Sequence, residues 1–236
     1  MISKELLVSS CESIGISISD EAVMRFDAYA QMLVEYNDKV NLTAITKPDE
    51  IVIKHFADSL CLLKFVELTS DKRLIDVGTG AGFPGAALLC AKPDSDITMI
   101  DSVNKKLDFI RFLVKELGLK ADIVTVRAED AAKKPEYREK FDIVTSRAVA
   151  SLNVLSEYSV PLLKVGGIFA PLKAVLSQEE DMRGSGAIAN LGCKVLSKNK
   201  YIIPDGSERE IIIAQKISHT SAKYPRAFAQ ISKKPL

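Results

Sequence analysis

From residue 73 onwards, short apolar runs alternate with amphipathic segments, and this alternation restricts the possible folds more than any other feature. The segments between the runs predict helices at about residues 83–91, 103–118, 128–134 and 151–164. Continuously apolar strands separated by helices are typical of a parallel sheet covered on both faces. The sequence therefore predicts an α/β protein with five parallel strands, at residues 74–77, 97–100, 123–126, 141–144 and 167–170.

Both ends of the chain depart from this alternation. Residues 1–70 show helical spacing, with one predicted helix beginning at Asp20 and a second over 48–68. Near the other end, strand-like runs at 195–203 and 210–217 flank a Pro-Asp-Gly-Ser turn, which indicates an antiparallel hairpin. We therefore expect three parts, listed by residue number: a helical extension over 1–70, a ligand-binding core over 71–218 and a tail over 219–236.

Composition excludes several classes of protein. The 236 residues include 32 Lys+Arg and 31 Asp+Glu, a balance that excludes a globally polycationic nucleic-acid coat. No run of 18 apolar residues occurs, so we expect no membrane partner. The two histidines and the scattered cysteines lack the spacing of a metal site, which favours a cytoplasmic protein without a structural metal. The cysteines are Cys11, Cys61, Cys90 and Cys193.

The strongest chemical signal is the sequence DVGTGAGFPG, which begins at Asp76 and follows the first predicted strand directly. Gly80, Gly82 and Gly85 fit the GxGxxG pattern of dinucleotide sites. Gly78, Gly80 and Gly82 also fit the GxGxG pattern of sites for S-adenosyl-L-methionine (SAM), which an acidic residue precedes. A pyrophosphate disfavours a nearby carboxylate, whereas the positive charges of SAM favour one. Asp76 therefore favours SAM over NAD.

Further polar residues follow the next three predicted strands. Asp101 ends the second strand, where it can accept hydrogen bonds from ribose hydroxyls or cap the following helix. Ala128 and Glu129 follow the third strand, where a carboxylate would face the amino group of an adenine. The alternative is again that this segment caps the following helix. Arg147 ends the fourth strand and is the candidate catalytic residue, binding either the carboxylate of the ligand or the acceptor. Because open α/β sheets bind ligands at this edge, we expect these residues to meet in one crevice.

The end of the fourth strand also restricts the chemistry. It reads Ser146-Arg147-Ala148, without the Pro-Pro-aromatic sequence of amino-group methyltransferases. No cysteine stands beside a proline as the nucleophile that carbon-5 methylation of cytosine needs. Guanine N7 remains a suitable acceptor because it has a free lone pair and no proton to remove. Such a transfer depends on positioning rather than on a strong general base.

Several polar groups leave two interpretations open. Residues 216–236 contain five basic residues and no acidic residue, which indicates either a solvated tail or an arm that contacts phosphates. His55 and Asp58, one helical turn apart, either dock the N-terminal helix or face the cofactor or RNA. A basic helix face after Asp101 is either solvated or bound to phosphate: Lys105, Lys106, Arg111 and Lys115. The candidate RNA-binding residues are Lys173, Arg226, Lys233 and Lys234.

These motifs, in this order, resemble the bacterial small-subunit ribosomal RNA guanine-N7 methyltransferase family, also called glucose-inhibited division protein B. Each short match is weak, but the ordered set is specific, and the GAGFPG extension distinguishes it from other methyltransferases. The resemblance covers nearly the whole chain. The matching stretches are residues 41–45, 55–60, 76–85, 101–102, 105–106, 127–129, 146–148 and 224–226.

The resemblance implies a Rossmann-like class I SAM-dependent methyltransferase fold, with a mostly parallel seven-stranded sheet, a C-terminal antiparallel hairpin and an N-terminal helical extension. It also implies methylation of guanine N7 at nucleotide position 527 of 16S ribosomal RNA in the small ribosomal subunit. We expect the chain to act as a monomer. The residues that hold SAM in the family match Gly78, Phe83, Ala128, Glu129 and Arg147.

Other functions remain open from the sequence. A methyltransferase acting on another RNA, a small molecule or a protein would use the same fold, because fold does not fix substrate. An NAD-dependent oxidoreductase would use the overlapping GxGxxG pattern and would bind NAD instead of SAM. A ribosome-assembly factor without catalytic activity would bind RNA and would not depend on Asp76 or Gly80.

Overall fold

The computed structural model describes residues 1–236 and contains one seven-stranded sheet. In chain order, the strands are β1 (Arg73–Val77), β2 (Asp96–Asp101), β3 (Asp122–Thr125), β4 (Phe141–Arg147), β5 (Leu163–Ala174), β6 (Cys193–Ile202) and β7 (Glu208–Lys216). Across the sheet, their order is β3-β2-β1-β4-β5-β7-β6. The first five strands pair in parallel, and β7 lies antiparallel between β5 and β6. The five predicted strands and the hairpin are therefore confirmed.

Helices cover both faces of the sheet. Before β1 the chain forms α1 (Lys4–Ser13), α2 (Asp20–Asn37), α3 (Pro48–Glu50), a π-helix (Ile51–Ala57), α4 (Asp58–Leu60) and a 3₁₀ turn (Cys61–Lys64). The remaining helices are α5 (Gly85–Ala91), α6 (Asn104–Glu116), α7 (Ala128–Ala131), α8 (Leu152–Ser159), α9 (Gln178–Asn190) and α10 (Phe228–Lys233), with a 3₁₀ turn at Val160–Leu162. None of these helices combines the length and the apolar composition needed to cross a membrane.

The first strand defines where a ligand can bind. β1 pairs with β2 on one side and with β4 on the other. The chain therefore adds β2 and β3 on one side of β1 and then crosses to add β4 and β5 on the other side. At such a switch point the connections diverge and leave a crevice beyond the carboxyl ends of the strands. The glycine-rich loop follows β1 directly, which brings it to this crevice.

Two hydrophobic clusters enclose the sheet. The larger cluster contains 42 buried residues and combines the N-terminal helices with one sheet face, so that Phe26 and Phe56 share a core with Met99. The smaller cluster contains 19 buried residues on the other face, including Phe169 and, from the tail, Tyr224. Residues 1–70 and the tail therefore pack on the sheet and have no hydrophobic core of their own.

The cysteines belong to this packing. All four are buried as free thiols, and burial raises the pKa of each to about 12. A thiol with so high a pKa is almost entirely protonated near pH 7 and behaves as a small apolar group.

Candidate active site

A cavity of about 650 Å³ opens at the carboxyl ends of β1, β2 and β4. Its volume lies within the range of roughly 300–1,000 Å³ that small-molecule sites occupy. The wall comes from the glycine loop, the strand ends, the N-terminal segment, α8 and α10. Most of the predicted cofactor-binding residues line it: Gly78, Gly80, Phe83, Asp101, Ala128, Glu129 and Arg147.

Asp76 lies beneath the glycine loop and does not line the cavity. Its Oδ2 accepts hydrogen bonds from the Thr79 hydroxyl at 2.7 Å and from the Gly85 N–H at 2.8 Å. Its Oδ1 is buried without a partner. Burial raises the pKa of Asp76 from 3.8 to about 6, although both hydrogen bonds oppose the shift. The carboxylate therefore holds the loop in shape, and its direct contact with the cofactor stays a prediction.

The glycines of the loop serve two different purposes. Gly80 has a φ of +59°, nothing lies within 4 Å of the position a Cβ would take, and its N–H donates to Asp101 Oδ2 at 3.0 Å. Gly82 has a φ of +102°, and a Cβ there would come within 2.9 Å of Ala86 and Ile110 side-chain atoms. Gly80 therefore leaves room for a ligand. Gly82 does not line the cavity and allows close packing of the loop, and its role in cofactor binding stays a prediction.

The two acidic residues of the cavity differ in their partners. Asp101 accepts from the N–H of Gly80 at 3.0 Å and from the N–H of Val103 at 2.9 Å. Each carboxylate oxygen keeps a second lone pair for a ribose hydroxyl. The helix-cap interpretation of Asp101 is wrong, because the N-cap of α6 is Val103 and no side chain caps that helix. Glu129 is only 6% exposed, and its one polar partner is Arg127, at 3.9 Å. No hydrogen-bond donor of the protein reaches this carboxylate, and it lines the cavity, so it is available to the amino group of an adenine.

Arg147 is held at the end of β4 by the N-terminal segment. One terminal nitrogen donates to the Lys54 carbonyl at 2.9 Å and to Asp58 Oδ2 at 3.0 Å, and the other donates to His55 Nδ1 at 3.0 Å. The guanidinium carbon also lies 5.0 Å from the centre of the Phe83 ring, within cation–π distance. The arginine therefore has a fixed orientation within the cavity wall.

The π-helix makes this orientation possible. The Asp58 N–H donates to the carbonyls of Ile53 and His55, and the Lys54 carbonyl is left to Arg147. An α-helix would pair that N–H with the Lys54 carbonyl, because its hydrogen bonds join residues four apart. π-helical segments of this kind occur frequently at functional sites. The sequence predicted one continuous helix here and gave no sign of the change.

His55 links Arg147 to the rest of the wall. Burial and the charge of Arg147 lower the pKa of His55 to about 3, so the imidazole is neutral. Because Arg147 can only donate, His55 Nδ1 accepts, and the proton assigned to Nε2 is donated to the Thr43 hydroxyl at 2.9 Å. The imidazole also stacks on Phe83, with the ring centres 4.2 Å apart.

The contacts of the His55–Asp58 pair support the docking interpretation, and the cofactor-facing interpretation stays a prediction. His55 lines the cavity, as the cofactor-facing interpretation requires. Asp58 joins the N-terminal segment to the hairpin, because its Oδ1 accepts from the Tyr201 hydroxyl at 3.0 Å while its Oδ2 binds Arg147.

Tyr29 supports the glycine loop, a role that the sequence did not predict. Its hydroxyl donates to the Ala81 carbonyl at 2.5 Å, and its ring stacks on Phe83 at 5.3 Å and 6°. The available signal is its position, three residues after Phe26 and four before Leu33 on the apolar face of α2. A tyrosine on such a face is expected to hydrogen-bond within the core.

A second cavity, of about 500 Å³, lies against the first. His55, Arg147 and Ala148 line both cavities, so Arg147 lies at their boundary. The second cavity also contains five charged side chains, at the carboxyl ends of β4 and β5 and on neighbouring elements: Lys54, Asp58, Lys173, Glu180 and Arg209.

Two of the four predicted RNA-binding residues are paired within the protein. Lys173 donates to the Ala150 carbonyl at 2.6 Å and pairs with Glu180 at 3.0 Å. Arg226 binds both carboxylate oxygens of the buried Glu157, at 2.8 and 2.6 Å. Their charges are compensated within the protein, although each side chain keeps N–H donors without a partner. Phosphate contact by Lys173 and Arg226 stays a prediction.

The remaining basic residues differ in exposure. Lys233 and Lys234 are exposed at the end of α10 and form no ion pair, so their prediction as RNA-binding residues stands. On α6, Lys106 lines the first cavity, and Arg111 pairs with Asp108 at 2.8 Å.

Comparisons with known proteins agree on one family. A sequence model of the family described as rRNA small subunit methyltransferase G matches residues 23–211. A relative from Desulfitobacterium hafniense (strain Y51), named ribosomal RNA small subunit methyltransferase G, is 47% identical over 227 residues, which cover 95% of this chain and 94% of the relative. A relative of the same name from Alkaliphilus metalliredigens (strain QYMF) is 40% identical over 238 residues, and the match covers both chains completely.

Solved structures with low sequence identity share the fold. The [4+2]-cyclase SpnF superimposes with a TM-score of 0.57 at 16% identity, covering 81% of this chain and 94% of that one. A SAM-dependent O-methyltransferase from Thermotoga maritima gives a TM-score of 0.53 at 15% identity, covering 80% of this chain and 72% of that one. At such identities the likeness describes the fold alone, a class I methyltransferase fold, as predicted.

Proposed function

The chain belongs to the rRNA small subunit methyltransferase G family, and from this premise we propose that it transfers a methyl group from SAM to N7 of a guanine in 16S ribosomal RNA. The observation that carries the proposal is the pair of adjoining cavities, with Arg147 at their boundary. One cavity has room for the cofactor, and the other has room for a base. The NAD alternative is not favoured, because the family is one of methyltransferases.

In this proposal the first cavity holds SAM. Glu129 accepts from the adenine amino group, which gives its buried carboxylate the donor it lacks in the protein. Asp101 binds the ribose hydroxyls through its free lone pairs. The backbone at Gly78 and Gly80 contacts the methionine part, where Gly80 leaves the loop surface open. When bound, SAM supplies a methyl group on a positively charged sulfur, and the bonding electrons return to sulfur as the methyl leaves.

The second cavity receives the guanine in this proposal. N7 needs only its own lone pair to form the new bond, so no general base is required. His55 agrees with this requirement, because it is neutral and its Nδ1 lone pair is already occupied by Arg147. Arg147 orients the two reactants at the boundary of the cavities, and orientation alone can contribute about 7–11 kcal/mol to such a transfer.

The methylated guanine carries a positive charge that the substrate did not have. In the second cavity the carboxylates of Asp58 and Glu180 are each paired with a cation, so the cavity offers this product no free negative charge. A guanine in an RNA loop suits this cavity, since regular A-form helices have a major groove too narrow to admit side chains. Lys233 and Lys234 are the candidate phosphate contacts outside the cavities.

The test is methyl transfer from labelled SAM to small ribosomal subunits, and to naked 16S RNA, from cells lacking this protein. Nucleoside mass analysis and strand cleavage at 7-methylguanosine then identify the product and its position. We expect one new 7-methylguanosine, at position 527. Transfer to another atom or molecule would contradict the proposed acceptor, and absence of SAM binding would contradict the proposed function entirely.

A further inference from the structure

The C-terminal tail is docked on the core rather than free. Arg138 donates to the carbonyls of Tyr224 at 2.8 Å and Thr220 at 2.9 Å. Two residues after Tyr224, the N–H and the guanidinium of Arg226 bind Glu157 on α8, which is fully buried. At the other end of the tail, the Leu236 carbonyl accepts from the Asn153 side chain at 2.8 Å. These anchors fix both ends of the segment that contains α10.

This docking brings α10 to the cofactor cavity. Phe228 and Ser232, one helical turn apart on α10, both line it. Between them, Ile231 is fully buried, so the helix is held by its apolar side. Phe228 itself is 50% exposed, which is unusual for a phenylalanine in a docked helix.

The position of Phe228 along the cavity follows from its neighbour. The guanidinium carbon of Arg127 lies 5.4 Å from the centre of the Phe228 ring. Arg127 directly precedes Ala128 and Glu129, the residues to which the adenine end of the cofactor is assigned above. An exposed aromatic ring at this end can stack on a purine, because every base presents a flat π-face.

We propose that Phe228 is a cofactor-binding residue, whose ring packs on the adenine of SAM, and that the docked tail is one wall of the cofactor site. The inference rests on the proposed function, since it needs an adenosine-containing cofactor in this cavity. It gives the tail a second role beside the RNA contact expected of Lys233 and Lys234.

The test measures binding of S-adenosyl-L-homocysteine and of adenosine to the full chain by calorimetry. We expect Phe228→Ala to weaken both ligands by the same factor, about tenfold, because the ring packs on the adenine that both ligands share. Phe228→Tyr keeps the ring and retains the affinity. The matched control is Phe112→Ala, which removes an exposed phenylalanine of α6 that does not line the cavity, and it leaves both affinities unchanged.

Each outcome is distinguishable. If the unsubstituted protein binds neither ligand, the proposed function fails. If that protein binds both and Phe228→Ala binds them equally well, the inference about the tail is overturned while the proposed function stands. If Phe228→Ala weakens S-adenosyl-L-homocysteine but not adenosine, Phe228 contacts another part of the cofactor and the adenine assignment is overturned.

Discussion

Two walls of the cofactor cavity are built very differently. The N-terminal wall joins Tyr29, His55, Phe83 and Arg147 through stacked rings and hydrogen bonds, and these side chains are largely buried. The C-terminal wall consists of α8 and the short helix α10, and it exposes Phe228. The first wall is fixed before any ligand binds. In the second wall, α8 is buried in the core, and only α10 depends on a few anchors at the ends of the tail.

This difference agrees with separate functions for the two walls, one in methyl transfer and the other in cofactor entry and exit. Methyl transfer needs reacting atoms held within a fraction of an ångström, which a fixed wall supplies. Cofactor entry and exit need a wall that can yield, and sparse packing gives such a region a lower local stability. We therefore expect changes in the N-terminal wall to affect transfer, and changes in the C-terminal wall to affect binding and stability.

The largest expected effect comes from Arg147→Ala. It removes the group at the boundary of the cavities, so we expect the transfer rate at saturating SAM to fall at least about 100-fold. It also leaves Asp58 without its closest cation, which we expect to cost about 3 kcal/mol in the free energy of unfolding. Single-turnover kinetics and denaturant unfolding measure the two effects.

Arg226→Ala is the matched control for that comparison. It leaves the buried Glu157 uncompensated, so we expect a similar loss of stability but a transfer rate within a few-fold of the unsubstituted protein at saturating SAM. A loss of transfer as large as that of Arg147→Ala would contradict the division between the walls.

Asp76, which lies beneath the glycine loop, makes the stability of the folded protein depend on pH. Burial raises its pKa from 3.8 to about 6, so the folded protein binds this proton more tightly than the unfolded chain. The resulting stabilisation is fully present below pH 3.8 and is lost as the pH rises through 6. We expect the stability of the unsubstituted protein, relative to Asp76→Asn, to fall by up to about 3 kcal/mol between acid and neutral pH. Denaturant unfolding at several pH values measures it, and a constant difference would contradict the assignment.

Tyr29→Phe tests how much of the loop support depends on one hydrogen bond. The substitution keeps the stacking on Phe83 but leaves the Ala81 carbonyl without its donor, and we expect it to cost about 1–2 kcal/mol. Tyr36→Phe, on the same helix, removes a hydroxyl that makes no hydrogen bond in the protein, and we expect a change below about 0.5 kcal/mol. Equal effects on the thermal midpoint would show that the Tyr29 hydroxyl has no special role.

The smallest effect on stability is expected from the double variant Lys233→Gln, Lys234→Gln, because both side chains are exposed and unpaired. Affinity for RNA should fall, and the slope of log affinity against log salt should decrease by about 0.7–0.9 for each phosphate that the variant no longer neutralises. A salt titration with and without the substitutions measures this slope. An unchanged slope would remove these lysines from the RNA interface.

The sequence predicted the parts of the molecule that depend on local pattern. The apolar runs identified all seven strands, and the strand–loop–helix context identified the cavity, because side-chain periodicity and chain connectivity restrict these features directly. The helix α9 was not predicted, since Gly184 and Gly186 interrupt its pattern. Gly184 is needed there because a Cβ would come within 2.7 Å of Leu152 on the neighbouring α8.

The site was predicted less completely, because several roles depend on contacts between distant segments. Asp76 and Gly82 lie in the expected motif, yet their side-chain positions face the protein interior. The sequence alone presents Lys173 and Arg226 as free charges, because their partners, Glu180 and Glu157, are brought to them only by the tertiary fold.

A crystal structure with bound S-adenosyl-L-homocysteine would test the division between the two walls most directly. We expect the adenine amino group within hydrogen-bond distance of Glu129, the Phe228 ring against the adenine, and the sulfur close to the boundary at Arg147. We also expect the N-terminal wall to keep its hydrogen bonds unchanged. A ligand bound outside this cavity, or one that rearranges the Arg147 contacts while the tail stays fixed, would contradict the account.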